Sequence, residues 1–213
     1  MRFIVSTSTL LKHLQAVSGA LSNSAVLPIL ENFLFEIKDS SLTISATDLQ
    51  TSMTTNLAVE SKEGGKIAVP SKILLDTLKT LPEQPIAFSV DDKTFAIEIS
   101  AGDGKYRLSG ENGDDFPKIP VVDNASSVNL AASVLGEAIN KTLFAVSNDE
   151  LRPAMTGVFC QLSPQNVTFV ATDAHKLVRY RRNDAKAESA ASFILPKKAL
   201  NLLKSSLPSE DLN

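Results

Sequence analysis

The sequence predicts an α+β fold built from repeated units, with antiparallel sheets carrying paired helices on one face. Three observations lead there. The chain can be laid over itself in two blocks at nearly one spacing. Amphipathic helical stretches are separated by runs of adjacent strands, the pattern of layered antiparallel sheet rather than of parallel βαβ winding. No glycine-rich phosphate loop follows a strand, as a dinucleotide fold requires.

The repeat is read by placing residues 27–49 (LPILENFLFEIKDSSLTISATDL) over residues 152–175 (RPAMTGVFCQLSPQNVTFVATDAH). Pro28 meets Pro153, Leu34 meets Phe159, Thr43 meets Thr168, and Ala46-Thr47-Asp48 meets Ala171-Thr172-Asp173, an offset of 125. Downstream, VPSKILLDTLKTLPE overlies LPKKALNLLKSSLPSE with Pro70 on Pro196 and Pro82 on Pro208, an offset of 126. Co-linear blocks at one spacing indicate two copies of one domain. They divide as residues 1–122 and 123–213, with a linker over residues 117–127 where prolines and small polar residues replace periodicity. The first copy runs on past its match through PIAFSVDDKTFAIEISAGDGKYRLSG, an alternating pattern of strands and turns. The second has no counterpart before Asn213, so the chain is expected to be a fragment whose second unit is truncated.

Each copy itself reads as two similar halves: a short strand, a helix, then strands. In the first half RFIV leads to a Ser/Thr cap at Ser6 to Thr9, after which Leu10, Leu14, Val17 and Leu21 share one helical face. Strands at ENFLFEI and SLTISA follow, separated by the turn residues Lys38-Asp39-Ser40. In the second half KIAV leads through Pro70 into a helix over residues 71–81 that stops at Pro82, and PIAFSV and TFAIEIS continue as strands.

Composition narrows the function. With 213 residues, 43% apolar and 21% charged, the chain can bury a good core. Its 21 basic and 24 acidic side chains leave a net charge of −3, so any DNA contact must come from locally clustered lysines. The apolar stretch of the N-terminus, Phe3 to Val5, is too short for an export signal, which makes the cytoplasm the default. One cysteine and two histidines give no internal disulfide and too few soft ligands for zinc, so neither metal nor cofactor is expected. Gly64-Gly65-Lys66-Ile67 lacks the earlier glycine and the following Ser or Thr of a P-loop and reads as a turn.

No GxSxG or HExxH signature is present, and no catalytic residue is assigned. A rival reading takes Cys160, Asp173 and His175 as a hydrolase site, because Thr172-Asp173-Ala174-His175-Lys176 is the densest polar cluster. Against it, Asp173 and His175 end an apolar strand, where an Asx turn is ordinary, and Cys160 alternates with apolar neighbours as a small core residue. A second rival is a generic protein-interaction module with no role on DNA.

The lysines gain meaning on their helices. At about 100° per residue, Leu74, Leu78 and Leu81 share one face of the second helix and Lys72 and Lys79 point away. On the fourth helix Leu200, Leu203 and Leu207 are expected inward, with Lys197, Asn201 and Lys204 on another face flanked by Lys198. Lys12 lies opposite the leucines of the first helix, and Lys141 stands beside Glu137 and Asn140 on the third. Charged outer faces are common on any amphipathic helix. Lys72 and Lys198, however, correspond in the two repeats, and matching cations make an extended surface suited to phosphates and indifferent to base sequence.

The order of these features resembles the bacterial β sliding clamps, the β subunits of DNA polymerase III holoenzyme. The resemblance covers essentially the whole chain. It rests on MRFIVSTSTLLKHLQAVSGAL, LPILENFLFEI and ATDL in the first unit, DFPKIP at residues 115–120, and RPAMTGVFCQL with ATDAHKL in the second. It implies a protomer of three such domains, the third absent here, that pairs head to tail into a homodimeric ring around duplex DNA. The helices would line the hole. It further implies that the protein has no active site of its own and tethers the replicative polymerase, the clamp loader and repair proteins, with no membrane partner.

The family's partner-peptide pocket maps in part onto Arg152, Met155, Thr172, Ala174, His175, Lys176 and Leu177, and its remaining walls onto the third domain. The usual family string is Ala-Thr-Asp-Gly-His-Arg-Leu, and Ala174 and Lys176 depart from it at the Gly and the Arg. One side of the ring interface maps onto Leu74 and Leu78 of the second helix and onto the edge strand Tyr106-Arg107-Leu108; the competing reading is a normal core helix and a half-exposed strand, and Leu78 reads at least as well as core. The loop Ser22-Asn23-Ser24 lacks the Arg with which many relatives touch DNA.

Overall fold

The computed structural model describes residues 1–22, 27–119 and 128–208. Asn23 and Ser24, and the linker from residue 120 to 127, therefore lie outside the described residues. Contacts divide the chain into two units, Met1–Val121 and Val122–Asn213.

In the first unit β1 (Arg2–Ser6) leads into α1 (Thr7–Ser18), followed by β2 (Asn32–Lys38), β3 (Ser41–Thr47), β4 (Ser52–Ala58) and β5 (Glu60–Glu63). Then β6 (Gly65–Pro70) leads into α2 (Ser71–Thr80), followed by β7 (Pro85–Val90), β8 (Ala96–Ala101), β9 (Gly104–Ser109) and β10 (Glu111–Asn112). The strand, helix, strands order of the two expected halves is present. The pairing is not confined to each half. One antiparallel sheet runs β5-β1-β7-β8-β9 and the other β10-β6-β2-β3-β4, so each takes its opening strand from the other half. Phe3 sits opposite Phe88, and Leu34 opposite Ala68.

Local chemistry sets these elements. Ser6 caps α1 by accepting the Thr9 N–H, and the Glu83 carboxylate accepts from the Ser6 hydroxyl at 2.6 Å and the Ser8 N–H at 2.8 Å. Those donors hold the Glu83 carboxyl below the usual carboxylate range. The β2–β3 hairpin turns at Asp39 and Ser40, both at positive φ, the geometry that matches strand twist in a two-residue turn. Leu10, Leu14 and Val17 of α1 and Leu74 and Leu78 of α2 are buried, as their spacing predicts. Phe3 and Phe88 stack at 4.6 Å in one sheet, and Phe35 of the other lies 6.4 Å from Phe3, so the two sheets share a core.

A smaller apolar cluster closes the other face of β2 and β6. Leu34 and Ala68 alternate with the core-facing Phe33, Phe35, Ile67 and Val69, and Phe116, 3% exposed, covers them beside Ile29. The segment reaches that position by pairing β10 with β6 and by a single turn over Gly113–Asp115, capped by the Asn112 side chain. Gly113 has no room for a Cβ, which would come within 2.8 Å of the Lys66 and Ile67 backbone.

In the second unit α3 (Ala132–Thr142) precedes β11 (Gly157–Leu162), β12 (Val167–Thr172), β13 (Leu177–Arg182), β14 (Ala191–Pro196) and α4 (Lys197–Ser206). The sheet runs β13-β12-β11-β14, the counterpart of β4-β3-β2-β6. Val134, Ala138 and Ile139 of α3, Leu200 of α4, and Val158, Cys160 and Phe169 of the sheet form the core. Leu203 corrects the expected face of α4: it is 37% exposed, whereas Leu200 is 1% exposed and Leu207 is half-buried. Among the described residues a single sheet underlies this helix, and its contact line runs through Leu200 and Leu207, leaving Leu203 on the flank. No helix among the described residues is long and apolar enough to cross a membrane.

Candidate functional site

The helices pack in pairs, α1 with α2 in the first unit and α3 with α4 in the second. Lys12, Lys72 and Lys79 are exposed on the first pair, and Lys141, Lys198 and Lys204 on the second. Lys197 is half-buried and donates to Asn148 Oδ1 at 2.6 Å. Lys72 and Lys198 each occupy the second position of their helix, so the repeat places them equivalently. Lys204 stands where α2 has the buried Leu78, and there the repeats diverge. Lys79 has Asp76 nearby at 3.9 Å.

The acid that faces Lys141 on α3 is already engaged. Glu137 Oε2 accepts from the Tyr180 hydroxyl at 2.7 Å and from Arg182 Nη1 at 2.7 Å, both on β13. Arg182 also grips Asp184 through Nε (2.8 Å) and Nη2 (2.7 Å), which lowers the Asp184 carboxyl to about 2. Sequence reasoning passed over this cluster. Its signal was the charge-rich alternation of LVRYRR, which pattern alone assigns to an ordinary solvated strand.

Of the residues mapped to a peptide pocket, Thr172, Ala174, His175, Lys176 and Leu177 lie in or beside the β12–β13 turn, and Arg152 and Met155 lie at the single turn before β11. Thr172 Oγ1 donates to the Lys176 carbonyl at 2.8 Å and accepts the Ala174 N–H at 3.2 Å. Asp173 Oδ1 accepts from the His175 and Lys176 amides at 3.1 and 2.9 Å, and Oδ2 pairs with Lys176 Nζ. Lys176 and those amides together hold the Asp173 carboxyl well below its ordinary range. Ala174 adopts φ +74°, the left-handed region that a glycine there would accept without strain. The first unit builds the same turn: Thr47 Oγ1 accepts the Leu49 N–H, Asp48 Oδ1 accepts from Gln50 and Thr51, and Leu49 has φ +74°. The repeated Ala-Thr-Asp string is thus a turn-forming motif in both units.

At the second copy of this turn Leu177 is 68% exposed and Ala174, His175 and Lys176 are exposed, and Met155, before β11, is half-buried. Arg152 is oriented by Asp149 at 2.8 Å.

The proposed interface leucines are corrected. Leu74 and Leu78 are 0% and 1% exposed and belong to the core of their own unit. The apolar side chain that α2 presents to solvent is Ile73, 55% exposed. Tyr106, Arg107 and Leu108 do lie on an edge strand, β9, where Tyr106 and Leu108 are half-buried and Arg107 binds Glu98.

The hydrolase reading finds no support in this geometry. Cys160 is 2% exposed in the core, and burial pushes its thiol up to about 11, away from the reactive thiolate. Asp173 is fully occupied in its turn. Among the described residues no group of three or more His, Cys, Asp or Glu could hold a metal ion.

Comparison with known proteins agrees across the chain. Residues 1–120 match the family model for the DNA polymerase III beta subunit, N-terminal domain, and residues 129–212 match the one for its central domain. The beta sliding clamp of Synechococcus elongatus is 32% identical over 208 residues, covering 96% of this chain and 55% of that protein. Among solved structures, a DNA polymerase III beta subunit from Thermotoga maritima has a TM-score of 0.85 at 29% identity, covering 99% of this chain and 57% of its own. A sliding clamp from Pseudomonas aeruginosa, bound to griselimycin, has a TM-score of 0.89 at 28% identity and the same coverage. The chain thus spans little more than half the length of the relatives it matches.

Proposed function

Because the chain belongs to the family of DNA polymerase III beta subunits, we propose that it forms the first two domains of a three-domain processivity clamp. Residues 1–122 and 123–213 are the first and second domains in this reading. The complete protein closes head to tail into a dimeric ring around duplex DNA in the cytoplasm and holds the replicative polymerase, the clamp loader and repair proteins near it. It has no active site of its own.

The observation that carries the reading is the pair of helix surfaces with exposed lysines at matching positions, Lys72 and Lys198, joined by Lys12, Lys79, Lys141 and Lys204. Phosphate contacts made by such side chains are salt-sensitive and carry no sequence information. A topologically closed ring needs nothing stronger, since tight contacts would stop sliding. The exposed Leu177, the half-buried Met155 and the polar rim of His175, Lys176 and Arg152 fit an apolar peptide motif fixed in register by hydrogen bonds.

Changing Lys72, Lys198 and Lys204 together to alanine tests the DNA face. The slope of log affinity against log salt should fall by about 2 to 3, close to one unit per lost phosphate contact. An unchanged slope would overturn the assignment. For the peptide site, this chain should bind a clamp-binding peptide much more weakly than a full-length family member, and equal affinity in a fluorescence titration would overturn it.

A further inference from the structure

We propose that the outer face of β1, between β5 and β8 in the first unit, is a groove for an extended peptide segment of a partner protein, one that carries an acidic, an apolar and a basic side chain at alternate positions.

The groove follows from side-chain size. On this face the registers set Ile4 beside Ala87 and Ser100, and Arg2 beside Ser89 and Glu98. Ala87, Ser89 and Ser100 are small, so the sheet is hollow between the longer side chains of β5 and those of Glu98, Lys105 and Arg107 on β8 and β9. A cavity of about 650 Å³ lies there, with Arg2, Ile4, Lys62, Ala87, Ser89 and Ser100 among its walls. The pairing of β5 with β1 stops where Ile4 faces Glu60, and a second cavity of about 420 Å³ continues past that point over Val5 and Ser6. The two share Ile4, Val59 and Glu60, so they run on from one another along β1. Ile4 is 42% exposed at their junction.

Three stations commit the groove to this occupant. Arg2, Ile4 and Ser6 alternate with the inward Phe3 and Val5, about 6.7 Å apart, which is the spacing of alternate side chains in any extended segment. The first station is cationic. Arg2 stands there with Lys62, which the bulge in β5 leaves without an opposite residue on β1 and which makes no salt bridge among the described residues. The middle station is apolar, Ile4 against Ala87. The third is anionic: Glu83 accepts from the Ser6 hydroxyl at 2.6 Å, and Glu60, with no salt bridge among the described residues, stands before it. An acidic residue over Arg2 and Lys62, an apolar one on Ile4 and a basic one toward Glu60 and Glu83 therefore meet opposite charge at both ends, and the reverse order meets like charge at both. No residue of the second unit takes part, so the proposal is independent of the pocket at the β12–β13 turn and of the DNA face.

The probe is acetyl-Asp-Thr-Leu-Thr-Lys-amide, titrated into the 213-residue chain at low salt beside the charge-reversed acetyl-Lys-Thr-Leu-Thr-Asp-amide. Saturable shifts are expected at the Ile4, Val59 and Ala87 methyl groups, with the reversed peptide about fivefold weaker, because exposed ion pairs each contribute little. Added salt should bring the two affinities together. Lys62→Glu should erase or invert the preference, and Ile4→Ser should abolish saturation. Both side chains are exposed, so the two variants should melt close to the parent. Absence of a saturable shift, or equal affinity for the two peptides at low salt, would overturn the proposal. So would concentration-dependent dimerisation that Ile4→Ser abolishes while neither peptide has any effect, since the groove would then belong to a second copy.

Discussion

Ala174→Gly should stabilise the second unit, and the size of the effect follows from the turn itself. Ala174 sits at φ +74° with its side chain exposed. A Cβ in the left-handed region costs about 1–2 kcal/mol. Glycine removes that strain but gives the unfolded chain more freedom, which takes back about 0.4–1 kcal/mol. No burial is lost with an exposed methyl, so the net gain is about 0.5–1 kcal/mol and the melting temperature should rise by about 4 °C. Ala174→Val should move the other way, because β-branching worsens the clash. Differential scanning calorimetry measures both, and amide exchange at Ala174 and Lys176 localises the change. A glycine variant no more stable than the parent, with valine tolerated, would refute the account of this turn. Leu49→Gly in the first unit is the internal replicate, since Leu49 shares the same φ and the same Thr and Asp partners.

Three further outcomes are expected. Phe116→Ala should lower the stability of the first unit by about 3 kcal/mol, the low end for a lost buried phenyl in a small cluster, read from the urea midpoint. Cys160 should resist iodoacetamide in the native protein and react once urea unfolds the second unit, since its buried thiol is raised to about 11; rapid native labelling would contradict the packing. The Asp184 carboxyl is lowered from 3.8 to about 2, chiefly by its hydrogen bond to Arg182. Its folded value lies below the unfolded one, so its stabilisation is complete above the unfolded value and is lost as pH falls from about 4 toward 2. Denaturation midpoints measured across that window should fall less steeply in Asp184→Asn, and an unaltered slope would count against the ion pair.

Much of this was legible in the sequence where one residue's chemistry decides one outcome. The prolines and the Ala-Thr-Asp strings fixed the repeat because the same turn needs the same Thr and Asp acceptors each time. Helical spacing placed Leu10, Leu14, Leu74 and Leu78 inward and Lys72 and Lys79 outward. Spacing also misled. Leu203 keeps the period but lies on the flank, because helix phase is set by what the helix packs on. β4 and β5 carried no apolar alternation strong enough to read, being largely exposed and polar. The exchange of β1 and β6 between halves was hidden because strand pairing depends on partners that local pattern does not name. At the candidate site, the exposed lysines were legible and the Glu137–Arg182 pairing was not, since its residues meet from separate elements 45 positions apart.

The crossed strands of the first unit also bear on the order in which it can be made. β1 is made ahead of the rest of its unit, but one of its two neighbours in the sheet, β7, with Phe88 opposite Phe3, is among the later residues. β2 and β3 can zip as a local hairpin at once and α1 can pack on β3 and β4, whereas β1 has only the short β5 to pair with until β7 has been synthesised. The unit cannot be assembled half by half, and a nascent chain stalled near Glu83 would leave the β7 side of its first strand unpaired and Phe3 without the ring of Phe88 that stacks on it, open to solvent or to a chaperone.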